Sequence, residues 1–294
     1  MAAARSGYRL EAERIGGGLP PILLAALRIA HTMTPGIHGR RRSGAGDAFW
    51  QFRHYQPGDP ARAIDWRRSA RADPVFVREN EWESAQTLFL WRDASASMRW
   101  RSARALPQKS DRATLLLLAV ATLLLRSGEQ IALLGSAGAP VRGVGGIGRI
   151  ADRIERDENP AENGLPPAVA MPRHAQLVLF GDFLDPLEDI EARLRAFAAQ
   201  AVRGHIVQVL DPAEEALPMH GRIRFEGLER EGELLIRRAE RVRPDYVRRM
   251  AAHRDALVVL TRRLGWTFAT HHTDAQPQMA LLALYRALTL APDA

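Results

Sequence analysis

An acid and two hydroxyls stand at alternate positions in Asp93-Ala94-Ser95-Ala96-Ser97, directly after the apolar run Thr87-Leu88-Phe89-Leu90-Trp91-Arg92. Where a buried strand opens into a loop, that spacing offers three oxygens to one point. Hard divalent cations such as Mg²⁺ or Mn²⁺ take oxygen ligands and keep some waters, so Asp93, Ser95 and Ser97 are candidate metal ligands. Asp182 and Asp211 each follow another strand-like run, Gln176 to Gly181 and His205 to Leu210. In an open parallel α/β sheet, ligands bind outside the carboxyl ends of the strands. Acids placed just past three such strands therefore converge on one edge, and they repel each other unless a cation binds or protons are taken up. Plainer roles exist for each. Asp93 and Asp182 are also suited to loops and turns, Asp211-Pro212 reads first as a turn former, and Ser95 or Ser97 can cap a following helix.

Enzymatic chemistry at these residues is harder to assemble. A strand-end Asp begins the haloacid-dehalogenase type of phosphotransferase, but the second Asp needed two residues on is Ser95 here. A G-x-S-x-G hydrolase needs glycines where Ala94 and Ala96 stand. The stretch Gly143-Val144-Gly145-Gly146-Ile147-Gly148 lacks the Lys-Ser/Thr ending of a phosphate-binding loop and reads as a flexible loop. His271-His272 have no acidic partner at ligand spacing and read as surface or capping residues.

The elements that position these groups alternate strand with helix from Thr87 onward. A helix runs from an N-cap at Ser110 to Arg126, stopped by Gly128. Gln130 to Gly135 is a strand, Ile147 to Arg156 a helix, and Gln176 to Gly181 a fully buried strand. Leu187 to Ala201 is an amphipathic helix, and His205 to Leu210 a strand. Arg222 to Glu226 and Glu233 to Ile236 read as a β-hairpin. Pro244 to Leu264 is a long helix with Pro in its first turn. Trp266 to Thr270 is the last strand and Pro277 to Leu290 the last helix. This order predicts an α/β fold with a mostly parallel sheet flanked by helices and a small β-hairpin insertion. Residues 85–294 form that domain. Residues 1–84, rich in arginine and turn residues, form an irregular amino-terminal extension with a mobile start over residues 1–18, a short helix over residues 21–33 and a short strand over residues 75–79.

The bulk properties agree with a globular chain. Of 294 residues, 46% are hydrophobic and 26% charged, enough for a sizeable core. With no cysteine, disulfides, zinc-thiolate sites and thiol nucleophiles are excluded. The longest apolar run, Ala113 to Leu125, is too short to span a bilayer, and no signal-peptide pattern stands at Met1, so a cytoplasmic location is expected. The net charge of +7 rests almost wholly on arginine, Lys109 being the only lysine. A mildly basic surface explains this better than a nucleic-acid patch, and no nucleic acid is expected as partner.

The D-x-S-x-S pattern followed by Met98 resembles the metal-ion-dependent adhesion site of von Willebrand factor A domains. That resemblance implies a Rossmann-like fold, Mg²⁺ or Mn²⁺ as the ion, and partner binding through the metal without catalysis. It also implies that Asp182 contacts the metal through water. The loop that supplies a threonine ligand in such domains corresponds here to Glu158-Asn159-Pro160-Ala161-Glu162-Asn163-Gly164-Leu165, which holds no threonine. Asn163, or Glu162 beside it, is the nearest oxygen-bearing substitute. The metal site is incomplete by the family pattern, and the crevice can survive as an ion-free docking surface.

A second series runs through the extension. It comprises Gly44 to Phe49, Arg53-His54-Tyr55-Gln56-Pro57-Gly58-Asp59-Pro60-Ala61-Arg62-Ala63-Ile64-Asp65-Trp66, Ser69-Ala70-Arg71 and Val77-Arg78-Glu79. Over residues 36 to 275 the chain resembles the family known as domain of unknown function fifty-eight, in which this signature precedes a von Willebrand A-like domain. The resemblance implies a MoxR-type AAA+ ATPase as partner and association with membrane-bound partner proteins. Physically, Arg53, Asp59, Arg62, Asp65 and Arg71 suit an ion-pair lattice around a small core of Phe49, Trp50, Tyr55 and Trp66. Direct partner binding by Arg53, Asp59, Arg62, Asp65, Trp66 and Arg71 is the other reading. The function expected is a non-catalytic interaction module. A metal-dependent phosphohydrolase using Asp93 and Asp182 is the alternative.

Overall fold

The runs Ile131–Ala132, Leu177–Phe180 and Ile206–Leu210 are buried at every position because both faces of the strands that carry them are covered. In the computed structural model, which describes residues 21–32, 43–44, 48–56, 64–71, 74–81, 87–156, 164–226 and 232–289, these strands are the centre of an α/β unit. The chain divides into two compact units. One comprises Met1–Thr34 and Thr87–Ala294, the other Pro35–Gln86.

The first described element of the larger unit is helix α1 (Pro21–Thr32). Its sheet is built from β4 (Thr87–Arg92), β5 (Gln130–Leu133), β6 (Val141–Arg142), β7 (Gln176–Gly181), β8 (Arg203–Leu210) and β11 (Thr267–His272). Their order is β11-β8-β7-β4-β5-β6. All neighbours are parallel except β6, which runs antiparallel to β5. From β4 the chain passes to β5 on one side and later returns to β7 on the other. That reversal opens a crevice between the carboxyl ends of β4 and β7, the usual ligand position in such sheets.

Side chains alternate across the sheet as strand geometry requires. Leu88, Leu90, Val178, Phe180, Val207 and Val209 face one core with helix α3 (Lys109–Arg126). Trp91, Leu177, Leu179 and Ile206 face the other with α5 (Leu187–Ala198) and α7 (Ala239–Arg263). Helix α3 is apolar nearly all round, because it lies on the sheet and is covered by α1, α4 (Ile147–Arg156) and α8 (Pro277–Thr289). Gly204 of β8 leaves room for an indole. A Cβ there would lie 1.9 Å from Cε3 of Trp266, whose Nε1–H donates to the Val202 carbonyl at 3.1 Å.

The expected hairpin is present as β9 (Ile223–Glu226) against β10 (Glu233–Ile236). Two helix starts differ from expectation. Helix α3 begins at Lys109 with Gln108 at its N-cap, so Ser110 lies inside the first turn and its carbonyl accepts from Thr114 Oγ1 at 2.8 Å. Helix α7 begins at Ala239, which leaves Pro244 inside the helix, where it cannot donate the usual bond to Glu240.

The smaller unit is more regular than its turn-rich sequence suggested. Strands β1 (Ser43–Gly44), β2 (Ala48–His54) and β3 (Phe76–Glu81) form an antiparallel sheet in the order β1-β3-β2. The short helix α2 (Trp66–Ser69) is capped by Asp65, whose Oδ1 accepts from the Arg68 N–H at 2.9 Å. Trp66 and Tyr55, expected in a small core, are 65% and 42% exposed. A four-residue helix with no buried residue has no face with which to cover an indole.

Candidate functional site

Asp93 and Asp182 follow β4 and β7 and flank the crevice. Both are buried, at 0% and 2% exposure. The Asp93 N–H donates to the Phe180 carbonyl at 2.7 Å, continuing the β4–β7 pairing one residue past the strand. Its Oδ1 accepts from the Ser95 N–H at 2.7 Å, an Asx turn that starts the short 3₁₀ segment Ala96–Arg99. That turn brings the hydroxyls round. Ser95 Oγ lies 3.0 Å from Ser97 Oγ, and Ser97 Oγ donates to Asp182 Oδ2 at 2.9 Å. Asp182 is fixed from behind, where its carbonyl accepts from Gln208 Nε2 at 2.9 Å. The next residue, Phe183, is buried at φ 51°, a costly region for a bulky side chain, and its carbonyl meets His253 Nε2 at 2.7 Å. Asp93, Ser95, Ser97 and Asp182 thus form one cluster at the switch point.

Sequence reasoning missed the group at its centre. Lys109, 1% exposed, donates to Asp182 Oδ2 at 2.8 Å and to Glu214 Oε1 at 2.5 Å. Burial pulls its pKa down, but the attraction of Asp182 and Glu214 more than offsets this, and the ammonium is held above its ordinary value. Glu214 belongs to α6 (Pro212–Ala216), where its Oε2 accepts from the Asp211 N–H at 2.9 Å in a capping box. Asp211 is itself committed, accepting from the N–H groups of Ala213 and Ser102, each at 2.9 Å. The third strand-end acid is therefore a cap, tied to the cluster through Glu214.

One oxygen in the cluster is left over. Asp93 Oδ2 is buried without a hydrogen-bond partner. It faces Gly164, where a Cβ would lie 2.9 Å from it and 2.6 Å from Asp185 Oδ2. Burial, with the Asp182 carboxylate next, pushes the Asp93 carboxyl up to about 7. Two clefts of about 220 and 370 Å³ are both bordered by Arg92, Ala94 and Ile154, the larger also by Arg99, and neither is lined by Asp93, Ser95, Ser97 or Asp182.

Asp93 Oδ2 suits a divalent ion, but the other donors fit one poorly. The two hydroxyls are engaged with each other and with Asp182, and the Asp182 oxygen they reach already carries an ammonium. Among the described residues no group of three or more His, Asp or Glu side chains is arranged to hold a metal. Asn163, Asp59 and Arg62 lie outside the described residues, as does the side chain of Arg53. Asp65 serves α2 as its cap, and Arg71 is exposed. His271, expected at the surface, is 4% exposed, and burial followed by Arg112 lowers its pKa to about 4. His272 meets Glu215 Oε2 at 2.6 Å.

Fold and site define an α/β protein with an acid–hydroxyl–ammonium cluster at the switch point of a mostly parallel sheet. Residues 51–256 match the family described as Protein of unknown function DUF58, and the chain belongs to that family. Uncharacterized protein Rv1480 of Mycobacterium tuberculosis is 27% identical over 278 residues, 86% of each chain. Uncharacterized protein Mb1516 of Mycobacterium bovis is similar to the same extent. Among solved structures, the conserved hypothetical protein BatB from Bacteroides thetaiotaomicron aligns with a TM-score of 0.38 at 13% identity, over 69% of this chain and 97% of that one. An uncharacterized membrane spanning protein from Vibrio fischeri aligns with a TM-score of 0.18 at 14% identity, over 69% and 98%. No helix among the described residues is long and apolar enough to cross a membrane.

Proposed function

We propose that this chain is a non-catalytic protein-interaction module of the von Willebrand A kind, a partner or adaptor of a MoxR-type AAA+ ATPase, and that it docks through the crevice between β4 and β7. The observation that carries this reading is the bond between Ser97 Oγ and Asp182 Oδ2 at 2.9 Å. It joins the loop after β4 to the loop after β7, the two loops that carry the acids of the D-x-S-x-S resemblance. The buried polar groups are turned toward one another and so hold the two loops that border the crevice in fixed positions, the preorganisation that a docking surface needs. The carboxylate that Ser97 meets is already held by the Lys109 ammonium, which makes it a poor base for activating a hydroxyl. Arg99, exposed in the loop after β4, gives an acidic partner segment a cation to meet.

The test is binding of the purified chain to a purified MoxR-type ATPase from the same organism, with Ser95→Ala/Ser97→Ala as control and a generic phosphatase assay alongside. Binding that the double substitution weakens at least tenfold supports the reading. Failure to bind, or phosphate release lost on Asp93→Ala, overturns it, the second outcome in favour of a phosphohydrolase.

A further inference from the structure

Lysine and arginine together number 41 in this chain, and one of them is lysine. Among the described residues that lysine is buried and no arginine is. Its position is unfavourable twice over. Lys109 is the first residue of α3, where the helix dipole disfavours a cation, and it is sealed from water, which disfavours any charge. Two contacts offset both costs, one of 2.8 Å to Asp182 and one of 2.5 Å to Glu214. An ammonium is a compact point charge on a flexible stem and fits between two carboxylates from different loops. A guanidinium is a larger planar fork.

We infer that Lys109 is a tethered cation that takes the place of a divalent ion in this crevice, so that the site is assembled, and docks its partner, without metal. The ammonium ties together the strand-end loops that an ion would tie, through different side chains. Through Asp182 it reaches the loop after β7 and, by way of Ser97, the loop after β4. Through Glu214 and its bond to the Asp211 N–H it reaches the end of β8. A divalent ion on Asp93, Ser95 and Ser97 would lie beside the Asp182 carboxylate that Lys109 already holds, and like charges in a water-poor site repel strongly. The charge assignment stands independently. Its consequence for docking rests on the interaction role proposed for the crevice.

Mn²⁺ titration of the full chain, read by calorimetry and by electron paramagnetic resonance, tests it. Wild type is expected to show no saturable Mn²⁺ binding up to millimolar concentration. Lys109→Ala is expected to gain a site at least tenfold tighter, lost again on adding Asp182→Asn. Micromolar binding by wild type that disappears in Ser95→Ala/Ser97→Ala overturns the inference, as does a folded Lys109→Ala that gains no Mn²⁺ affinity. If Lys109→Ala does not fold, Lys109→Gln/Glu214→Gln, which removes one charge of each sign, carries the same readout. Binding of the MoxR-type ATPase is then repeated in chelator. Binding that survives chelation supports metal-free docking, binding abolished by chelation overturns it, and absence of binding in either buffer defeats the docking role while leaving the Mn²⁺ result to decide the charge.

Discussion

Replacing Asp93 with Asn should change how stability depends on pH. In the folded chain the Asp93 carboxyl is raised from 3.8 to about 7, by burial first and by Asp182 second. The folded state therefore keeps a proton that the unfolded chain has released between those two values. By linkage, stability attached to this group is fully present below pH 4 and is lost as pH rises toward 7. A shift of about 3 units at about 1.4 kcal/mol each amounts to about 4 kcal/mol by pH 8. Asp93 is 0% exposed, so solvent screening does little to reduce this. Asn keeps the Oδ1 acceptor for the Ser95 N–H and puts an NH₂ donor where Oδ2 lacks a partner. The measurement is urea unfolding of wild type and Asp93→Asn from pH 4 to 8. The variant should gain on wild type progressively across that range and be the more stable protein at pH 8. Curves that stay parallel would show that Asp93 titrates near its ordinary value and would refute the electrostatic account of the cluster.

The difference between the two proteins is the proper readout, because His205 acts in the opposite sense. Burial, then Arg203, lowers its pKa from 6.5 to about 4, so its stability is present above pH 6.5 and lost as pH falls toward 4, by about 3 kcal/mol in all. His205→Gln should flatten acid unfolding in that window, as measured by the midpoint of denaturation at each pH. Lys109→Met should cost about 3–5 kcal/mol in urea unfolding at neutral pH, since two buried carboxylates lose their counter-charge. Gly204→Ala should cost at least about 1–3 kcal/mol, because the new methyl collides with the Trp266 ring, and the indole fluorescence should shift as the ring is displaced.

Much of the larger unit was legible in the sequence because its strands are buried on both faces and read as short continuous apolar runs between polar loops. Leu177-Val178-Leu179-Phe180 can be little else. The convergence of Asp93, Asp182 and Asp211 on one sheet edge followed from parallel topology, and the place of Ser95 and Ser97 beside Asp93 from their alternate spacing. Lys109 did not, because a lone lysine before a helix has no periodic signal and its partners lie 73 and 105 residues away. Two clues were present, its uniqueness among the basic residues and its place at a helix start, where a cation is out of character. Strand β2 was missed because Ala48-Phe49-Trp50-Gln51-Phe52 is irregular in its alternation, and the pairing shifts register between Phe49 and Gln51. The exposure of Trp66 was invisible because aromatic content predicts burial on average, whereas here the helix that carries it is one turn long.

The placement of α1 governs the order in which this molecule can be completed. Ala26 and Ile29 share a core with α3, and Arg126 Nη2 reaches His31 Nε2 at 2.7 Å across 95 residues of chain. During synthesis α1 must wait for its α3 contacts until the whole Pro35–Gln86 unit and α3 have been made. The intervening unit has been made in full by then and is free to form first. Closing so long a connection costs only slightly more than closing one half its length, so the delay falls on kinetics far more than on final stability. Pulsed hydrogen exchange during refolding should accordingly find the amides of α1 among the last to gain protection.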